Sequence, residues 1–302
     1  MGSCRAIGLD GANLLGFLAA VGTFATLDRT WRDRDVRMAW VFDTAWRPVW
    51  HVSGNCSEQD VVEALHRGLG GRDGTPEFTR FDDLTVSPSL FAEFAAQAAG
   101  SASLSDRRWA DFAAAFGCEA TLDKNKKDQI QDTALRTMSG AGHQHFIGFM
   151  RELSQTTSLE HLRSALFVTW RYDDTRPSMR WDPIDDRRYA LRADDPSSAE
   201  IRTVRGANRL AIEAIPCFPT APHGRELQTT GFTGRGRNRL ITWPIWEPCI
   251  TLPTLRSVLA HAELIVERPR RALLQAMGVV ESYRCARLTI GQFRNFTPAR
   301  AV

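Results

Sequence analysis

The chain has almost no lysine. All three lysines stand in one tetrapeptide, KNKK (Lys124, Lys126, Lys127), so nearly every cationic side chain is an arginine. A guanidinium fork matches phosphate and guanine edges better than an ammonium does. Paired cysteines are missing as well. Cys4, Cys56, Cys118, Cys217, Cys249 and Cys285 lie far apart with no C-x-x-C, which excludes a zinc-finger spacing and a disulfide framework and leaves reduced, mostly buried thiols. No apolar run approaches the roughly 20 residues of a membrane span. The N-terminus carries one arginine, then Asp10, then a periodic apolar stretch, unlike a secretory signal. The expectation is a cytoplasmic protein with no membrane partner.

Catalytic signatures are equally scarce. There is no G-x-x-x-x-G-K-[ST], no G-x-S-x-G, no H-E-x-x-H and no adjacent His-Asp pair. His143 and His145 are two apart, which on a helix points them to different faces, and His161 is distant, so no histidine metal site is expected. Asp173, Asp182, Asp185 and Asp186 could supply a two-metal nuclease. They alternate with arginines, however, a pattern more typical of a self-satisfying ion-pair network. The sequence calls for no cofactor and no metal.

The net charge of +3 hides an asymmetry. Residues 1 to 150 carry 15 basic and 19 acidic side chains, a net of −4; residues 151 to 302 carry 23 and 16, a net of +7. A basic C-terminal half points toward nucleic acid.

Periodicity predicts an α+β fold. Leu14, Phe17, Leu18, Val21, Phe24 and Leu27 recur at helical steps after Asp10 or Asn13 as cap. Gly16 and Gly22 inside that helix cost about 1 kcal/mol each relative to alanine, which argues for a close neighbour, a packed strand being the expected one. VRMAWVF (36–42) and WRPVWHV (46–52) read as a hairpin, and a helix follows from Ser57 to Leu69. Three segments result: an N-terminal α+β segment (1–84), a helical middle (85–170), and a basic α+β segment (171–302). The last contains the helix ANRLAIEAI, the strand NRLITWPIW, two helices, and the final strand SYRCARLTI. The strands of the two ends are expected to share one mixed or antiparallel sheet around one core.

Two basic clusters stand out. KNKK is followed by SGAGHQHF, whose small residues and donors, His143 and Gln144 among them, precede a helix where backbone N–H groups favour anions. GRGRNR places Arg235, Arg237 and Arg239 in alternation through glycines, with Asn238 between the last two. Glycines allow close backbone approach, and alternation sends successive guanidiniums to opposite sides of an extended strand. Such a segment could hold phosphate on one side and a base on the other, or be a charged hairpin tip. Trp243 and Trp246 could stack on bases, but core packing is the commoner fate. Pro244 and Pro248 confine that strand to an edge or end it.

LDGANLLGFLAAVGTF (9–24), MRWDPIDDRRYALRADDP (179–196), ANRLAIEAIPCFP (207–219) and TWPIWEP (242–248) resemble blocks of the compact large subunits of type I CRISPR surveillance complexes (Cascade), type I-G in particular. The resemblance implies a non-catalytic subunit for antiviral defence. It would sit near the 5′ handle of the guide RNA, help recognise the short PAM duplex, and work beside backbone subunits while a helicase-nuclease recruited in trans does the cutting. The expected partners are therefore backbone subunits, guide RNA, target double-stranded DNA and that helicase-nuclease. The expected nucleic-acid contacts are Arg235, Arg237, Asn238, Arg239, Lys124, Lys126, Lys127, His143, Gln144, Arg187, Arg188, Arg205 and Arg209. The alternatives are the aspartate-based nuclease and a structural adaptor that touches no nucleic acid.

Overall fold

A computed structural model describes residues 1–138, 145–175, 177–185, 202–236, 239–290 and 293–302. Strand β1 (Gly2–Arg5) leads into helix α1 (Leu14–Thr30), which starts where the Asn13 side chain accepts from Gly16 N at 3.1 Å. Every residue from Leu14 to Leu27 is buried. A helix apolar on all sides belongs in the middle of a core, and the other elements wrap around this one.

β2 (Val36–Phe42) and β3 (Trp46–Val52) form the predicted hairpin, closed by Asp43, whose carboxylate accepts from Ala45 N at 3.2 Å. β1 pairs antiparallel with β3, giving the order β1–β3–β2. α2 (Glu58–Leu69) begins with a reciprocal cap, Ser57 Oγ accepting from Asp60 N and the Asp60 carboxylate accepting from Ser57 N.

The short α3 (Pro76–Thr79) closes the N-terminal segment, and the middle of the chain opens with α4 (Pro88–Ser101) and α5 (Arg108–Phe116). It is not wholly helical. β4 (Gly117–Leu122) and β5 (Ile130–Asp132) make a hairpin before α6 (Phe146–Thr156) and α7 (Leu159–Phe167). The KNKK tetrapeptide is the tip of that hairpin. Asp123 accepts there from Asn125 N at 2.8 Å and Lys126 N at 3.0 Å, an Asx turn that a helix-period pattern does not reveal.

α8 (Arg205–Ile212) crosses α1 at Gly22, where a Cβ would lie 1.8 Å from the Leu210 carbonyl oxygen. The close neighbour of that glycine is thus a helix and not the expected strand. A second unpredicted hairpin follows, β6 (Thr220–His223) with β7 (Glu226–Thr229). Then come β8 (Phe232–Thr233), β9 (Arg239–Trp246), α9 (Leu252–Leu259), α10 (Arg271–Ala276), β10 (Val279–Ile290), β11 (Phe293–Phe296) and β12 (Arg300–Ala301). Their sheet runs β11–β10–β9–β8, with β12 on β10. Among the described residues β8 pairs with Leu240 and Ile241, so Pro244 occupies a part of β9 beyond that pairing.

The N-terminal hairpin and β9–β10 therefore lie in separate antiparallel sheets and not in one. Among the described residues one bridge, Met38 to Ile250, links them through two backbone hydrogen bonds of 3.0 Å. The join is aromatic. Phe17 of α1 stacks on Trp40 at 6.0 Å and meets Trp243 at 5.9 Å, and Trp40 meets Trp246 edge-on at 5.9 Å. The Trp243 indole N–H donates to the Gly11 carbonyl at 2.8 Å, and that of Trp246 to the Met38 carbonyl at 2.9 Å. Both tryptophans are core residues. One hydrophobic cluster runs from Cys4 to Phe296 through all three segments. Among the described residues no helix is long and apolar enough to cross a membrane.

Candidate nucleic-acid interface

The two hairpins that the sequence hid are the scaffold of the site. Gln131 of β5 ties them together: its amide donates to the Leu122 carbonyl at 2.7 Å, and its side-chain oxygen accepts from Leu227 N at 2.8 Å. This places the KNKK tip against β7. Lys124 donates to Oε1 of Glu226, the first residue of β7.

The glycine–arginine turn between β8 and β9 reaches the same carboxylate. Gly234 has φ +80° and Gly236 φ +59°, left-handed conformations that glycine adopts freely. No neighbour crowds Gly236, so the backbone and not close approach selects glycine there. The turn projects Arg235, 82% exposed, with Nε 3.9 Å from Glu226 Oε2. Lys124 first, then Arg235 and Arg239, hold the Glu226 carboxyl below its usual range against the opposing effect of burial. Lys126 and Lys127 are exposed at the same hairpin tip. A groove of about 380 Å³ opens here, lined by His223, Glu226, Thr233, Gly234, Arg235 and Arg239.

Arg239 is half-buried at the start of β9, and burial lowers its guanidinium pKa. The structure brings Arg235, Arg239, Lys124, Lys126 and Lys127 into one neighbourhood. Arg205 lies elsewhere. It opens α8, where its N–H donates to Asp174 Oδ2 at 2.8 Å, beside the His161–Asp174 pair. Arg209 is a correction. It is 1% exposed, and its Nη1 donates to Glu213 Oε1 at 2.9 Å within a core network shared with Arg108 and Arg29, so no phosphate can reach it. Arg237, Asn238, His143, Gln144, Arg187 and Arg188 lie outside the described residues.

No family model and no curated protein matches the chain.

The aspartate alternative fares unevenly. Asp182 is 2% exposed and accepts from Ile184 N at 3.0 Å, the Tyr172 hydroxyl at 3.1 Å and Asn13 Nδ2 at 3.3 Å, with burial raising its pKa. Its oxygens serve the fold. Asp173 is exposed, Asp186 lies outside the described residues, and among those described no three His, Cys, Asp or Glu side chains are placed to hold a metal ion.

Several charged residues went unnoticed in the sequence. Asp132, at the end of β5, pairs with Arg136 and stands 4.0 Å from Arg294. Arg136 also pairs with Asp83. Arg287 of β10 is directly opposite Arg239 of β9. A signal was available: in SYRCARLTI, Arg287 has the same strand parity as the buried Cys285, an odd place for an arginine unless it has a task.

Proposed function

We propose that the chain is a non-catalytic, nucleic-acid-binding subunit of a type I CRISPR effector complex, contributing to PAM and target-DNA recognition and to assembly with guide RNA and backbone subunits. The observation that carries the reading is the convergence of KNKK and the glycine–arginine turn on Glu226. Two basic segments far apart in sequence meet at the rim of one arginine-lined groove, the arrangement a polyanion-binding surface requires. The family-like blocks supply the CRISPR context, and the cutting belongs to a helicase-nuclease in trans.

The deciding measurement is binding of labelled guide RNA and target duplex by the assembled complex across a salt series. Arg235→Glu with Lys124→Glu should weaken binding and make the salt slope shallower by about one unit per lost phosphate contact. Co-expression with the products of neighbouring genes should recover the chain with RNA. An unaltered slope, or a complex that forms without RNA, would overturn the reading. Magnesium-dependent cleavage by the isolated chain, abolished by Asp185→Ala, would replace it with the nuclease.

A further inference from the structure

Two arginines of β10 are buried side chains with opposite fates. Arg284, 4% exposed, is well partnered: it donates to Thr242 Oγ1 at 2.7 Å and to the carbonyls of Glu267, Leu264 and Val266 at 2.9, 3.2 and 2.6 Å. It fastens the loop between α9 and α10 to the sheet. Arg287, 8% exposed, faces the other side of the sheet and has no hydrogen-bond acceptor among the described residues; its Nε is buried and unpartnered.

The neighbours of Arg287 make matters worse. Its charged surroundings are Arg294, Asp132, Arg239 and Arg136. Arg239 is its cross-strand partner, and Arg294 has the same strand parity one step along β11. Burial first, then repulsion from Arg294, drives the Arg287 guanidinium well below its usual pKa. Asp132 and Asp83 are the acids of this cluster, and both are already engaged by Arg136. Arg294 Nη1 is 4.0 Å from Asp132, beyond hydrogen-bond reach, and is itself buried without a partner. Four guanidiniums against two carboxylates leave two positive charges over. Glu226 does not cancel them, since Lys124 and Arg235 already occupy its two oxygens.

Buried charge without a partner is costly, and an unmatched arginine set is the signature of an absent anion. The geometry points to a site for a single phosphate group at the ends of β9, β10 and β11, held by Arg239, Arg287 and Arg294 and entered from the groove that Arg239 lines. Asp132 orients the set by pairing with Arg136 and drawing Arg294 inward. The phosphate comes either from a nucleic-acid backbone or from a phosphomonoester, free or at a strand terminus. The site stands on the arginines alone and does not rest on the CRISPR reading.

The test uses the full chain in phosphate-free buffer with Arg287→Met, which keeps the length of the side chain and removes the charge. Without phosphate the variant should melt at a higher temperature than the wild type, because an unpaired buried charge is gone. A purely structural arginine would give the opposite sign. Inorganic phosphate, titrated at ionic strength matched with chloride, should stabilise the wild type saturably and the variant not at all. Arg294→Gln, at the half-buried mouth, should weaken phosphate about tenfold without lowering the melting temperature in its absence.

RNA oligomers with and without a 5′-phosphate separate the sources. A preference for the phosphorylated end that Arg287→Met abolishes assigns a monoester. Equal binding of both, weakened by Arg287→Met, assigns the backbone. If phosphate gives no saturable shift and Arg287→Met binds both oligomers like the wild type, the site does not exist, whatever the outcome for Arg235 and Lys124.

Discussion

Lys124 and Arg235 share one carboxylate, Glu226, with the lysine on Oε1 and the arginine 3.9 Å from Oε2. The acid keeps two exposed cations on a common surface, but it also neutralises part of their charge and repels phosphate. Glu226→Gln should therefore tighten RNA binding at low salt by about three- to tenfold and steepen its salt dependence. Unchanged affinity and slope in a fluorescence-anisotropy titration would mean that these cations do not face the nucleic acid.

Trp243 anchors the strand that presents the turn. Its ring packs on Phe17, and its indole N–H meets the Gly11 carbonyl. Trp243→Phe keeps most of the packing and loses that hydrogen bond, an expected cost of about 1–2 kcal/mol. Trp243→Ala also leaves a cavity and should cost about 3–5 kcal/mol. Urea unfolding gives both values. RNA affinity of Trp243→Phe should match the wild type, and a loss there would put the indole in the binding surface.

Regular periodicity made much of the fold legible. α1, the β2–β3 hairpin and α2 follow from local signals, because each element satisfies its own pattern. The β4–β5 and β6–β7 hairpins do not. Their strands are short and half-exposed, and long-range bonds from Gln131 and Thr229 hold them. Composition located the arginine turn and KNKK, but their meeting at Glu226 depends on those hidden hairpins. Arg209 misled for a related reason. A charged residue in an apolar helix reads as exposed until its partner, Glu213, four residues on, is seen buried beside it. The two tryptophans of β9 were readable as core, whereas Arg287 shows its isolation only once the sheet register is known.

Two glycines test the backbone argument in opposite directions. Gly236 has free space around it but a left-handed φ, so Gly236→Ala should destabilise by about 1–2 kcal/mol. Gly100 lies in the last turn of α4 with nothing near its Cβ position, so Gly100→Ala should stabilise by about 0.5–1 kcal/mol. Denaturation midpoints of the two variants should move apart around the wild type. Movement of both in the same direction would contradict the conformations assigned.

The buried Glu213 network sets an acid limit on stability. Its carboxylate takes Arg108 at 2.8 Å, Arg209 at 2.9 Å and Arg29 at 3.2 Å. Burial alone would raise its pKa, but Arg108, then Arg209 and Arg29, outweigh burial and hold it well below the ordinary value. A carboxyl depressed in the folded state stabilises fully above its unfolded pKa of about 4.3, and that stability drains away as pH falls toward the folded value. The wild type should thus lose stability steadily below about pH 4.3. Glu213→Gln leaves Arg209 and Arg29 without their anion and Arg108 with Glu77 alone, which should cost about 3–5 kcal/mol at neutral pH. It should also flatten the acid limb, since the titrating group is gone. Urea midpoints between pH 7 and pH 3 read both effects. If the variant tracked the wild type in parallel down the acid limb, other carboxylates, Asp132 first among them, would carry the pH dependence instead.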